Sequence, residues 1–269
     1  MSAAATVGVV VPAAGRDDHL RRLLGGLARQ THPPDDVVVA DMGDATAVLA
    51  ASPLPVRRHP VPADGPALPL AAARNAAAAA TDAEVLVFLD VDSLPHCDLV
   101  ADYAGALSRW GPVLACGQVR YLRQGWDDNI SLQQQSDPHP ARPTVVRPTI
   151  DGDRPDLFWS LNFATQALTW RRLGGFDEDY IGYGAEDTDL GWRAQAAVVP
   201  LLWLPGALAF HQWHPPTRLD PRRTAEIVGN ARRFRRRWGK WPMVGWLTDL
   251  AADGIVRFDP ERDVLEVMR

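Results

Sequence analysis

Val85-Leu86-Val87-Phe88-Leu89-Asp90-Val91-Asp92-Ser93 is the stretch on which the reading of the fold turns. A short unbroken apolar run fits a strand buried on both faces. Asp90 ends the run, and Asp92 follows one residue later. On an extended tail alternate side chains point the same way, so both carboxylates face one ligand. Close carboxylates repel unless a cation sits nearby. A divalent ion shared between one or two carboxylates and substrate phosphates is the usual arrangement for magnesium or manganese. The plainer alternative is a solvated loop with a helix cap; the position directly after a strand favours the ligand.

Working outward, the same rhythm repeats. Val7–Val11, closed by Pro12, reads as a first buried strand, and Asp17 or Asp18 is placed to cap a helix carrying Leu20, Leu23, Leu24 and Leu27 at helical spacing. Val37–Val39 reads as a second strand running to Asp41, and Val56–His59 as a short third. Leu70–Ala80 is rich in alanine, the best helix former. Alternating strands and helices imply parallel strands with right-handed crossovers, whose ligands bind beyond the carboxyl ends of the strands. Asp41 and Asp90 both fall there. Leu114–Val119 reads as one further strand; Arg120–Pro155 is irregular, the kind of stretch that serves function or moves. A helix is predicted from near Glu186 to about Ala197, a strand over Val198–Leu204 and a basic helix over Thr224–Trp238. No fixed-period repeat is present.

The chain has 269 residues, enough for one large α/β domain with an extension. A net charge of −5 argues against nucleic-acid binding, which calls for a basic excess. Two cysteines, Cys97 and Cys116, are too few for a disulfide framework and read as reduced thiols of a cytoplasmic protein, with a single bridge left open. Met1–Thr6 lacks the regions of a signal peptide, and no apolar run is long enough to cross a bilayer, so membrane contact is peripheral at most, at the inner face.

At these residues the sequence resembles glycosyltransferase family 2 of the GT-A fold, with a C-terminal block similar to the galactosyltransferase group. Val9-Val10-Val11-Pro12, the entry Gln30–Asp41, Ala73-Arg74-Asn75, Asp90-Val91-Asp92, Gly174–Glu178 and Gly182–Arg193 carry the resemblance in the expected order. It implies an α/β fold with a mixed, mainly parallel sheet flanked by helices. Residues 1–215 would form the transferase domain, its nucleotide-binding half about 1–118 and its acceptor half about 119–215, followed by a helical extension over 216–269.

The resemblance also assigns roles. Asp92 is the first choice for a Mn2+ or Mg2+ ligand, with Asp90 binding metal, ribose or both. His211 supplies a further ligand, with His214 in the same segment as its rival. Pro12, Ala13, Asp41, Arg74, Asp90 and Val91 line the donor, a nucleotide diphosphate sugar of which the UDP-linked kind is favoured. Where the common pattern has a second acid, Asp41-Met42-Gly43-Asp44 has methionine, which puts one donor contact in doubt. Asp187 is the general base of an inverting transfer to a hydroxyl, because acceptor hydroxyls need a base to take their proton. Glu186 orients the acceptor or the loop, and Tyr183, Gly184, Asp177 and Glu178 contact the acceptor, which can be a glycan, a lipid-linked intermediate or a small molecule. Each has a plainer reading: a helix N-terminus favours acids, Tyr183 suits core packing, and Arg74 suits a solvated helix face. Asp189 reads as structural. Asn162 and three of the ten tryptophans, Trp159, Trp203 and Trp213, are weaker sugar-site candidates.

The basic run Arg232–Arg237 is either a solvated face or a contact for anionic lipid. Two other functions compete. Pro12-Ala13-Ala14-Gly15-Arg16 faintly resembles the start of a sugar nucleotidyltransferase, whose downstream pattern is missing. A non-catalytic glycan- or nucleotide-binding module would not need Asp92, His211 and Asp187 together.

Overall fold

A computed structural model describes residues 5–63, 65–215 and 220–268. The elements in chain order are β1 (Val7–Ala13), α1 (Asp17–Leu27), β2 (Asp36–Asp41), α2 (Thr46–Ala50), β3 (Arg57–Pro60), α3 (Leu70–Ala79), β4 (Val85–Leu89), β5 (Ser93–Pro95), α4 (Leu99–Arg109), β6 (Leu114–Cys116), β7 (Val119–Leu122), β8 (Ser136–Pro138), β9 (Thr149–Asp151), β10 (Asn162–Gln166), α5 (Ala167–Leu173), α6 (Glu186–Ala196), β11 (Leu201–Trp203), β12 (Ala209–His211), α7 (Pro221–Trp238), α8 (Val244–Ala252), β13 (Val256–Asp259) and β14 (Val264–Val267).

An eight-stranded sheet runs β3-β2-β1-β4-β10-β6-β11-β9. Strands β3, β2, β1 and β4 are parallel neighbours, as the alternating pattern implied; β10 enters antiparallel between β4 and β6. Both faces are covered, which is why β1 and β4 are apolar throughout. Val85, Val87 and Leu89 of β4 pack on one side with Leu20, Leu23, Leu24 and Leu27 of α1, while Leu86 and Phe88 pack on the other with Phe163, Trp170 and the alanines of α3. Phe88 and Phe163 are directly opposite across β4 and β10, their rings stacked at 4.4 Å.

A four-stranded sheet, β5-β12-β7-β8, stands beside the first. The expected single strand over Leu114–Val119 is broken between the two sheets. A side chain at Gly117 would run into the Ala207 carbonyl, Asn162 and the Tyr103 hydroxyl, so the chain bends there at a glycine. Asn162 is fully buried and ties the bend together. Its amide donates to the Gln118 and Ala207 carbonyls and its oxygen accepts from Tyr103, whose hydroxyl accepts from Gly117 N–H. Asn162, a weak sugar-site candidate from sequence, thus joins sheets instead.

Further differences have local causes. Asp17 and Asp18 make no side-chain cap; α1 starts after Arg16 in the left-handed region, and both acids lie in its first turn, where the dipole favours them. The irregular stretch contains short β7, β8 and β9, whose polar sequences carry little period. The strand expected over Val198–Leu204 covers only Leu201–Trp203, since Val198 has a positive φ of 57°. The C-terminal extension, expected to be helical, holds α7, α8 and the hairpin β13–β14, with a small core of Ile227, Val228, Leu247, Leu250 and Leu265. Among the described residues no helix is long and apolar enough to cross a membrane. Cys97 is exposed and Cys116 buried, and both are free.

Candidate active site

The turn after β4 places Asp92 against β12. In the antiparallel pair β5–β12, His211 stands opposite Ser93, next to Asp92 in sequence. Gln212, fully buried, fixes the approach: its N–H donates to the Asp92 carbonyl at 2.7 Å, and its amide donates to the His19 carbonyl of α1. His211 Nε2 lies 3.7 Å from Asp92 Oδ1, and His214 Nε2 lies 3.5 Å from Asp92 Oδ2. The ligand atoms of Asp92, His211 and His214 are all within 4.8 Å of one another. Both histidines, rivals as ligands in the sequence, therefore lie against Asp92. Tyr121 of β7 stacks on His211 at 4.8 Å and sets its ring plane.

The trio fits a divalent cation on its own chemistry. Asp92 Oδ1 is buried and has no hydrogen-bond partner. Burial opposes ionisation of Asp92, but the His214 contact, with His211 and the Arg16 guanidinium beside it, outweighs it and holds the carboxyl well below the usual range. Burial keeps His211 below its ordinary value and so neutral, the form that ligates. The Arg16 guanidinium, from the turn after β1, pairs directly with Asp92.

A second charged group adjoins it. Arg74 of α3 is 3% exposed. It donates to Asp90 Oδ1 at 2.8 Å and to Glu186 Oε1 at 3.2 Å, with its guanidinium 5.2 Å from the Phe176 ring. Burial disfavours that charge, yet Asp90 and Glu186 more than compensate, and its pKa is raised. The solvated-face reading of Arg74 is thus excluded. Asp90 is held here and lies outside the metal-capable trio; burial pushes its carboxyl up.

Glu186 and Asp187 open α6 without a side-chain cap, after Ala185 in the left-handed conformation at φ 70°. Burial and the neighbouring Asp187 charge push Glu186 up to about 7. Burial also raises Asp187, against the Thr188 N–H at 2.7 Å and the more distant Ser160 N–H.

The remaining predicted residues divide. Pro12 and Ala13 end β1 beside Ala40 and Asp41 of β2, at the carboxyl edge. Asp41 is buried and accepts from the N–H groups of Gly43 and Ala45 and from Arg58, so it shapes the loop after β2. The Val91 side chain packs in the core. Asp177 pairs with Arg233 and Arg237, and Glu178 accepts from Asn75, which also accepts from Phe176 N–H. Gly184, at φ 99°, leaves room for Met243. Tyr183 is exposed and stacks on Trp246 of α8, 5.6 Å away and 7° from parallel. Trp203 is buried with its N–H on Asp151. Asp189 is fully buried and accepts from Tyr180, Arg193, Arg237 and Trp238, the structural role expected of it.

Sequence reasoning missed Arg16 as a partner of Asp92, and it missed Gln212, Tyr121 and Trp246. The His211-Gln212-Trp213-His214 run held a signal for Gln212, since a polar residue between two candidate ligands has to point somewhere. Nothing local marked the others.

An open, mainly parallel sheet with acids at its carboxyl edge, beside a second sheet that brings His211 to them, is the architecture of the GT-A fold. The chain belongs to glycosyl transferase family 2, whose family model matches residues 8–173. A model described as the N-terminal domain of galactosyltransferase matches residues 154–209. Two proteins named validoxylamine A glucosyltransferase are similar over 85% of the chain, at 31% identity in Streptomyces hygroscopicus subsp. limoneus and 30% in S. hygroscopicus subsp. jinggangensis strain 5008. The chain spans 56% and 60% of their lengths. Among solved structures, GalNAc-T7 with UDP, GalNAc and Mn2+ shares the fold at a TM-score of 0.56 and 17% identity, over 80% of this chain and 46% of that one.

Proposed function

We propose that this chain transfers a sugar, with inversion, from a nucleoside diphosphate sugar to an acceptor hydroxyl. Asp92, His211 and His214 would hold a divalent ion, and Asp187 would act as base. The convergence of that trio on a buried, unpartnered Asp92 Oδ1 carries the reading. Two imidazoles suit manganese better than magnesium. When bound, the ion supplies Lewis-acid stabilisation of charge on the departing diphosphate. UDP is the favoured carrier, since the GalNAc-T7 structure holds UDP and Mn2+. The similar proteins' names make a glucosyl group the first to test.

The chain's own groups then have defined tasks. Asp187 takes the acceptor hydroxyl proton as the acceptor oxygen bonds to the anomeric carbon; the bond to the diphosphate oxygen breaks on the opposite face. A carboxylate raised toward neutrality by burial is a better proton acceptor than one in water. Arg74 holds Asp90 and Glu186 in place, and Glu186 fixes the start of α6. The family assignment leaves the nucleotidyltransferase reading without support. The donor half is proposed to lie over about 1–118 and the acceptor half over about 119–215.

Thermal unfolding with UDP, GDP or dTDP, with and without manganese, tests this, because a ligand of the folded state raises Tm. A manganese-dependent rise with one nucleotide supports the site and names the carrier. A rise independent of metal removes the trio from donor binding. No rise with any nucleotide sinks the reading.

A further inference from the structure

Among the described residues two arginines are buried, and they are treated in opposite ways. Arg74 is matched by carboxylates. Arg142, in the loop between β8 and β9, is 8% exposed, and both its terminal nitrogens are buried without a hydrogen-bond partner. Among the described residues no carboxylate pairs with it. Its guanidinium is held between two tryptophans, 5.4 Å from the Trp159 ring and 5.2 Å from the Trp203 ring.

A guanidinium cannot shed its proton to escape burial. Two aromatic faces offset part of the lost hydration. They supply neither acceptors for the terminal N–H groups nor a counter-charge, and a buried cation lacking both is unfavourable. Arg142 borders a cavity of about 10 Å³, also lined by Gly117, Gln118, His139, Thr144 and Trp203. That is room for about one water-sized particle. Water would accept hydrogen bonds and bring no charge. The space beside Arg142 is small, which favours a compact anion over a phosphate or a substrate carboxylate.

We propose that this cavity binds a small monovalent anion of the halide class, chloride being the common one, against the Arg142 terminal nitrogens. The site backs onto the proposed active site. Trp159 precedes Ser160, whose N–H faces Asp187. His139 packs against both Trp159 and Tyr121, and Tyr121 stacks on His211. An anion on Arg142 would anchor the 138–145 loop and steady these walls from behind.

Thermal unfolding of the whole chain in sodium chloride and in sodium gluconate, at equal ionic strength, tests this. The expected result is a higher Tm in chloride, rising with concentration by mass action, and no difference between the salts for Arg142→Met. Crystals grown in bromide should show an anomalous peak beside Arg142. Equal Tm in both salts and no such peak would mean that water fills the cavity, overturning the proposal; so would a chloride effect that survives in Arg142→Met. If that variant fails to fold, the bromide measurement on the unmodified protein decides.

Discussion

Arg74 and Glu186, 112 positions apart, meet in a buried ion pair, and the same guanidinium holds Asp90. Strand end, helix α3 and the start of α6 are thereby fixed by one side chain. Arg74→Met would leave two carboxylates without their cation. Breaking a buried pair from one side typically removes about 3–5 kcal/mol, and urea unfolding should show a loss of that size. Arg74→Lys should recover little, because a single ammonium cannot fork to both partners.

Glu186 gives a pH signature. Its folded value of about 7 lies above its ordinary 4.5, so the folded state holds a proton that the unfolded state has lost. Stability from this group is present at low pH and is lost as pH rises through about 7. The depressed histidines His19, His139 and His211 act in the opposite sense below their ordinary value, so the group is best isolated by difference. Glu186→Gln, a mimic of the protonated form, should gain on the parent protein as pH rises over this window and level off above it. Denaturation midpoints measured at intervals across that range check it; a constant difference refutes it.

How much of this was legible beforehand depended on how local the signal was. The apolar runs of β1 and β4 announced a parallel sheet buried on both faces, and alanine and leucine spacing announced α1 and α3. Asp92, His211, Glu186 and Asp187 were legible as candidates because ordered motifs marked them. Not legible were partners contributed by distant segments. Arg16, with its backbone left-handed at φ 58°, meets Asp92 from 76 positions away, and Arg142 looks like any loop arginine until two tryptophans close on it. The run Arg232–Arg237 looked like a free basic face. Folded, Arg232 donates to the Leu265 carbonyl, Arg233 and Arg237 pair with Asp177, and Arg235 pairs with Asp263. Among the described residues Arg236 is the one arginine of the run without a hydrogen-bond or ion-pair partner, so the lipid reading loses most of its charge.

Asp187→Asn tests the base directly. Donor-dependent thermal shifts should persist while transfer falls by about 100- to 10,000-fold, the usual range for losing a general base. Product anomers read by NMR report inversion. Transfer that survives in the variant would assign the proton to another group.

For the metal trio, His211→Ala and His214→Ala should each weaken manganese-dependent nucleotide binding by at least about tenfold, since even supporting partners of a metal site are worth that much. Calorimetric titration distinguishes the histidines. An unchanged affinity in either variant removes that histidine from the site.

Asp189→Ala addresses the join between α6 and α7. It would strip Arg193, Arg237 and Trp238 of a fully buried acceptor, and a loss of about 3–5 kcal/mol in urea is expected. Manganese binding in the surviving folded fraction should stay normal, because Asp189 stands apart from Asp92, His211 and His214.

The register that sets His211 of β12 beside Ser93 of β5 has a consequence for the history of each molecule. β5 follows β4 early in the chain, whereas β12 comes after α6, so this pairing closes one of the longest loops in the fold. Contacts of such separation are slow to form, because loop entropy is lost before the pairing is rewarded. A nascent chain can therefore hide its greasy strands well before Asp92 and His211 come together, and the proposed ion site is completed only with the last stitch of the second sheet.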